Sequence, residues 1–375
     1  MKTYDYIVLG GGIMGASTAF ALSKVSDNVL LIDQYAPGHT KGSSHGDGRI
    51  LRYNYSESIY VEMATHAYSA WNNLQQRSGS QLIKSTGLIQ FGSTDCKELA
   101  AIEVLLRDQA ITYEILSSQS CERRFPQLRL PDEARVLYQP DGAVAFATRV
   151  VQTLWKLCEE QGATLLTNQR VHSIETANNQ VELQVGTEEV VTGSKLIVTV
   201  GAWTTDITES LGLSLPLKPT REWIAYFAPI NSISHQVGEM PCVIDSCDAQ
   251  VTFYSLPQIE VPGVKVGWHQ SGDEVHPDDA VRQNVHVLSR IQEWVEQILP
   301  HLSSKPSEIQ SCLYTNTPDD NFILDVHPDY ANIIIGAGFS GHGFKFGPLI
   351  GQVLADLALE KAPVIPLKKF AINRF

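Results

Sequence analysis

Residues 4–9 (YDYIVL) form a short, mostly apolar run that passes straight into Gly10-Gly11-Gly12-Ile13-Met14-Gly15, and residues 16–24 then have helical composition. That order predicts a strand, a tight glycine turn and a helix. Residues 28–33 (NVLLID) follow as a second buried strand ending in an acid, which completes a βαβ unit of about 30 residues. Residues 34–48, rich in Gly, Ser, His and Pro, predict a long polar loop of the kind that carries function. Val61, Ala64, Ala67, Trp71 and Leu74 predict an amphipathic helix over 60–76, followed by an extended stretch at 87–91. The stretch up to residue 146 shows no single period. Residues 147–161 are helical again, and 163–199 hold strands with a turn at Asn178-Asn179, the last run being KLIVTV at 195–200.

Between about 216 and 316 the chain becomes strand-rich and punctuated by prolines. Val281, Val285, Leu288, Ile291 and Val295 predict one long helix there, over 277–298. Residues 332–338 (NIIIGAG) return to the buried-strand pattern and 344–359 are helical after a glycine-rich turn. The pattern therefore predicts an α/β (α+β) chain in which a first domain is assembled from 1–80, 147–215 and 317–375. A second domain, with a mixed and mostly antiparallel sheet, takes 81–146 and 216–316.

With 375 residues, 43% of them hydrophobic and 18% charged, the chain has material for large cores, and disorder, collagen and coiled coil are excluded. Its 28 Lys and Arg against 41 Asp and Glu give a net charge of −13, which argues against nucleic acid or an anionic membrane as a partner. The six cysteines include no C-x-x-C pair and do not join histidines at zinc-ligand spacing, so a reduced cytoplasmic protein without a structural metal is expected. Neither a signal-peptide order of regions nor an apolar run of about 20 residues is present, and a soluble protein follows.

Gly10-x-Gly12-x-x-Gly15 alone is a weak signal. Here it follows a predicted strand, opens a helix, and has Asp33 at the end of the second strand. Glycines at such a turn let backbone N–H groups reach a pyrophosphate at the positive helix N-terminus, and the carboxylate can accept from ribose hydroxyls. A second mononucleotide-binding half is missing, and a further glycine-rich strand and turn lies near the C-terminus. Wrapping one dinucleotide with both ends of a chain suits FAD better than an exchanging nicotinamide. No H-E-x-x-H or P-loop element is present, and Gly338-Phe339-Ser340-Gly341-His342 has His where the last glycine of a G-x-S-x-G elbow would stand.

The sequence GGGIMG, the loop from Gly42 to Arg52 (GSSHGDGRILR), Lys265-Val266-Gly267-Trp268-His269, Cys312-Leu313-Tyr314-Thr315 and the run GFSGHGFKF from Gly338 to Phe346 together resemble the monomeric sarcosine oxidase and N-methyltryptophan oxidase family. The resemblance runs in order from near residue 4 to Arg374. The family's S-H-H-G-D-T-R-x-x-R is matched at Ser43, His45, Gly46, Asp47, Arg49 and Arg52, with departures at Ser44 and Gly48 and with Tyr53-Asn54 in place of H-A.

The resemblance implies a Rossmann-like FAD-binding domain with Gly10, Gly12, Gly15, Asp33, Ser43, Gly341 and Gly343 at the cofactor, and FAD covalently attached through Cys312. It places His45 and Arg49 beside the flavin, makes Lys265 the fixed positive charge that activates O2, and gives Arg52 and Lys345 the substrate carboxylate. Tyr254 and His269 fall at its substrate-pocket positions. A monomeric flavin-dependent oxidase is implied, oxidising the C–N bond of a secondary (N-methyl) amino acid to an imine that hydrolyses to amine and aldehyde, with O2 reduced to H2O2. An oxidase or dehydrogenase of a cyclic or primary amino acid on the same fold stays open, as does a flavin-binding protein without turnover.

Overall fold

The computed structural model describes residues 2–177, 179–187, 189–248 and 251–375. The opening strand Lys2–Leu9 pairs in parallel with Val29–Ile32 on one side and with Glu189–Val198 on the other, and Thr164–Leu166 and Ile333–Ala337 extend the parallel set at the two ends. Strands 29–32 and 333–337 are buried along their whole length, which is why they read as unbroken apolar runs rather than alternations. Ile323–Val326 closes one edge antiparallel. A hairpin of Val171–Ala177 and Gln180–Val185 grows from the first half of Glu189–Val198. Of the turn read at Asn178-Asn179, Asn178 lies outside the described residues, and Asn179 has a left-handed φ of 59°.

The helix Ile13–Leu22 follows the glycine turn and is buried on every face, because it packs against both Ala147–Glu160 and Gly347–Ala358. The helix Ser58–Ser78 lays Ala64, Ala67, Trp71 and Leu74 into the same core, and Val61 is also buried.

The second large sheet runs in the order Asp273–Glu274, Lys218–Phe227, Val264–His269, Val251–Leu256, Cys242–Asp248, Leu88–Gly92, Arg135–Gln139, Glu114–Ser117, with Glu308–Asn316 also paired to Lys218–Phe227. Its pairings are antiparallel except that between Cys242–Asp248 and Leu88–Gly92. A three-stranded sheet (Gly48–Leu51, Ala143–Phe146, Ile83–Ser85) joins the two large ones. The stretch without a clear period holds two helices, Lys97–Asp108 and Ser118–Arg124, between these strands.

One helix starts later than the pattern predicts: it spans Val285–Ile298, not 277–298. Asn284 caps it, its side-chain oxygen accepting from the Val287 N–H at 3.1 Å, and this fixes the first turn. Val281 and Val285 fit the spacing yet are 59% and 71% exposed, while Val287, Leu288, Ile291, Trp294, Val295 and Ile298 make the buried face.

Candidate active site

A cavity of about 610 Å³ runs from the glycine turn of the parallel sheet to the face of the antiparallel one. At its first end the turn is built by close approach. A Cβ on Gly15 would stand 1.8 Å from the Gly10 carbonyl oxygen, and Gly10 itself has φ +95°. Gly12 at the N-cap has no side chain to cap the following helix, and no acid occupies the first helical turn, so no negative charge offsets the positive end of the dipole. Ser44 Oγ accepts from the Ile13 N–H at 3.0 Å, a contact that the motif reading passed over as a departure. Asp33 is held with one oxygen 2.6 Å from the Gly11 N–H and the other 2.8 Å from the Tyr35 N–H. Burial raises its pKa, those two N–H groups and His39 working against the shift.

The loop 43–48 is folded around Arg49. Its guanidinium donates to the carbonyls of Gly48 (2.9 Å), Ser43 (2.9 Å) and His45 (2.8 Å), and Ser43 donates to the Leu313 carbonyl, which ties the loop to the strand bearing Cys312. Lys265 lies in Val264–His269, whose other residues are mostly apolar, and donates to the Gly48 carbonyl at 3.0 Å. Burial, reinforced by Arg49, brings its pKa down to about 7. Cys312 lies in Glu308–Asn316 opposite Glu222, and burial raises its thiol pKa while Arg49 and Lys265 oppose the rise.

Deeper along the wall, His269 Nδ1 is 3.4 Å from the Tyr314 hydroxyl, which also bonds to Tyr254. Burial lowers the pKa of His269 to about 4, with Arg52 and Lys345 adding to the effect. Arg52 donates to the Asn54 carbonyl at 2.7 Å. Lys345 is 7% exposed and donates to the Tyr55 hydroxyl (2.8 Å) and the His342 carbonyl (2.6 Å).

Thirteen of the fifteen residues singled out in the sequence line this one cavity: Gly10, Gly12, Asp33, Ser43, Arg49, Arg52, Tyr254, Lys265, His269, Cys312, Gly341, Gly343 and Lys345. Gly15 and His45 do not. Gly15 serves the packing of the turn, and His45 is buried with its Nε2 unpaired and its pKa lowered to about 3, by burial first and Arg49 next. The sequence reading missed Tyr314 and His342, although both stand inside quoted motifs, and it missed Tyr55, which no motif marks.

A helix N-terminus with no acid in its first turn, a carboxylate at the second strand and a continuous path to a cationic chamber fit a dinucleotide whose reactive end reaches the antiparallel sheet. This is the arrangement of a dinucleotide-dependent oxidoreductase. The chain belongs to the FAD dependent oxidoreductase family, whose model matches residues 5–357. It is similar to the peroxisomal sarcosine oxidase of Homo sapiens, 35% identical over 378 residues that span 99% of this chain and 96% of the relative. It is also similar to the monomeric sarcosine oxidase of Bacillus sp. (strain B-0618), 31% identical over 376 residues, with 99% and 96% covered. Among solved structures, NikD, an amino acid oxidase essential for nikkomycin biosynthesis, superimposes with a TM-score of 0.88 at 25% identity, covering 99% of this chain and 98% of that one. The family resemblance read from the motifs thus holds over the whole chain.

Proposed function

We propose that this protein is a flavin-dependent oxidase of the C–N bond of a secondary, N-methyl amino acid. The observation that carries the reading is the convergence of Arg52, Lys345, Lys265 and Cys312 on the cavity that starts at the glycine turn. Its relatives' names, sarcosine oxidase and N-methyl-L-tryptophan oxidase, support the substrate class.

Gly10, Gly12 and the helix N-terminus would hold the pyrophosphate of FAD, Asp33 the adenosine ribose, and Ser43, Gly341 and Gly343 the approach to the ring. When bound, FAD supplies the two-electron acceptor that takes a hydride equivalent from the carbon beside nitrogen and passes the electrons to O2, giving H2O2. Cys312 would offer the thiol for a thioether to the ring's 8α carbon, a step in which the S–H bond and one methyl C–H bond are broken, two protons leave and the two electrons pass finally to O2. Arg52 provides a fork and Lys345 a point charge for the substrate carboxylate. The surplus of positive charge around the chamber disfavours an ammonium, so the substrate amine is held neutral with its lone pair available. Tyr254 and His269 form the wall against the substrate side chain. Lys265 places a fixed charge where negative charge develops as O2 is reduced. Arg49 keeps the loop beneath it in place, using the His45 carbonyl as one of its anchors. The product imine hydrolyses to the primary amino acid and formaldehyde.

In this reading, segments 1–80, 147–215 and 317–375 make the FAD-binding domain, and 81–146 with 216–316 make the domain that covers the ring. The protein works as a monomer in the cytoplasm, a reduced compartment that suits six free cysteines. Among the described residues no helix is long and apolar enough to cross a membrane.

A panel of N-methyl, cyclic and primary amino acids, assayed for anaerobic flavin bleaching, peroxide and formaldehyde, tests the reading. Bleaching with peroxide and formaldehyde from N-methyl substrates supports it. Bleaching only by cyclic or primary amino acids moves the substrate class, and absence of bleaching by the whole panel overturns turnover itself.

A further inference from the structure

Tyr55 does not line the cavity, yet it touches both cations assigned to the substrate carboxylate. Its hydroxyl accepts from Lys345 Nζ at 2.8 Å, and the Arg52 guanidinium carbon lies 4.7 Å from its ring centroid. The direction of each hydrogen bond around the hydroxyl follows from one carbonyl. His342 Nε2 is 3.0 Å from the Asp320 carbonyl oxygen, which can only accept, so Nε2 carries the proton. In the neutral ring Nδ1 is then a lone pair, and the Tyr55 hydroxyl, 3.2 Å away, donates to it. The hydroxyl oxygen is left facing Lys345 as an acceptor. Two of the three ammonium N–H bonds are committed, to Tyr55 and to the His342 carbonyl, and the third is the one that can face the cavity. The Tyr55 ring is itself fixed, stacked on Tyr60 at 5.1 Å and tilted against Phe346 at 5.8 Å.

We propose that Tyr55 is a positioning residue that aims both cations at the substrate carboxylate, its hydroxyl orienting Lys345 and its ring face supporting Arg52. The inference rests on the reading of Arg52 and Lys345 as the carboxylate site and names what holds them. Two like charges in a buried chamber repel, and burial with Arg52 depresses the Lys345 pKa well below the ordinary lysine value. An oriented hydroxyl dipole at 2.8 Å opposes that loss, because it bonds the charged form. The titratable and charged groups facing Lys345 are Arg52, Tyr55, His269 and His342, with Tyr60 stacked behind Tyr55. Burial keeps both histidines neutral above pH 7 and pushes both phenols above their ordinary range. Lys265 takes its lowered pKa from burial and Arg49, not from Arg52, Tyr55 or Lys345, so its titration is expected to be common to all the variants.

The test is calorimetric titration of the flavin-loaded protein with propionate, a carboxylate without an amine, across pH 6–10, in wild type, Tyr55→Phe, Tyr55→Leu, Lys345→Ala and Arg52→Ala. Tyr55→Phe keeps the ring and removes the oxygen. Its propionate affinity at neutral pH is expected to fall about tenfold, the loss of one charge-assisted hydrogen bond, and its alkaline limb to move to lower pH. KM for substrate rises while kcat at saturation changes less than about twofold. Tyr55→Leu shows the same displacement with a larger loss, because Arg52 loses its ring, and it stands in if the phenylalanine variant does not fold. An unmoved alkaline limb in both Tyr55 variants, with Lys345→Ala weakening propionate, overturns the proposal and leaves the carboxylate site standing. Unchanged propionate affinity in Lys345→Ala and Arg52→Ala overturns that site, and the proposal with it.

Discussion

Replacing Lys265 by Met removes one charge at nearly constant volume and separates two effects that the structure predicts in opposite directions. A unit charge about 4 Å from the developing charge on O2, at an effective dielectric of about 20, is worth about 4 kcal/mol. Reoxidation of the reduced flavin should therefore slow by about 10³-fold, whereas anaerobic reduction by substrate should change far less. Stability should rise. Lys265 is 4% exposed, and its depressed pKa means that the protein bears the cost of burying a cation at neutral pH. The Gly48 carbonyl that it leaves keeps Arg49 as a donor at 2.9 Å, so the substitution orphans no acceptor. The sign with pH follows from linkage. The folded pKa, about 7, is below the ordinary lysine value of 10.5, so between these values the unfolded chain binds the extra proton and wild-type stability climbs with pH. Lys265→Met loses that climb. Stopped-flow mixing of reduced enzyme with O2 measures the first effect, and melting temperatures from pH 6 to 10 measure the second. Reoxidation within about threefold of wild type would refute the charge argument, and an unchanged slope of melting temperature with pH would refute the assignment of the buried cation.

Three further substitutions probe the rest of the cavity. Cys312→Ser should release all yellow colour into the supernatant on acid precipitation, while wild type retains it on the peptide containing Cys312; flavin freed quantitatively from mature wild type rules out the thioether. Arg52→Ala and Lys345→Ala should each lower kcat/KM for an amino acid substrate at least tenfold more than for the matching decarboxylated amine, and equal losses would leave the two cations without a substrate carboxylate. Gly15→Ala, whose Cβ would stand 1.8 Å from the Gly10 carbonyl, should abolish flavin retention measured by absorbance of the purified protein; normal flavin content would mean that the turn relaxes without cost.

What the sequence revealed depended on how far each feature reaches along the chain. The opening strand, glycine turn and second strand are local, and strands buried on both faces leave apolar runs that no surface requirement interrupts. The late start of Val285–Ile298 shows the limit of periodicity: Val281 and Val285 have the right spacing but face water, because an asparagine cap and not the apolar pattern sets the first turn. The stretch before residue 146 resisted assignment because strands of four and five residues alternate there with helices of 12 and 7 residues, so no window holds one period. Cys312 and Lys265 carried no signal beyond their motifs, since a buried thiol and one lysine in a strand are ordinary features.

Tyr55 lies beyond any such reading for a sharper reason. Its role depends on which nitrogen of His342 holds a proton, and that depends on a backbone carbonyl at Asp320, a group with no side-chain identity at all. A sequence motif records side chains, whereas the polarity of this chain of bonds is set by the path of the main chain. The cations assigned to the substrate carboxylate were therefore legible, and the tyrosine that joins the two of them in a protein of net charge −13 was legible only from the fold.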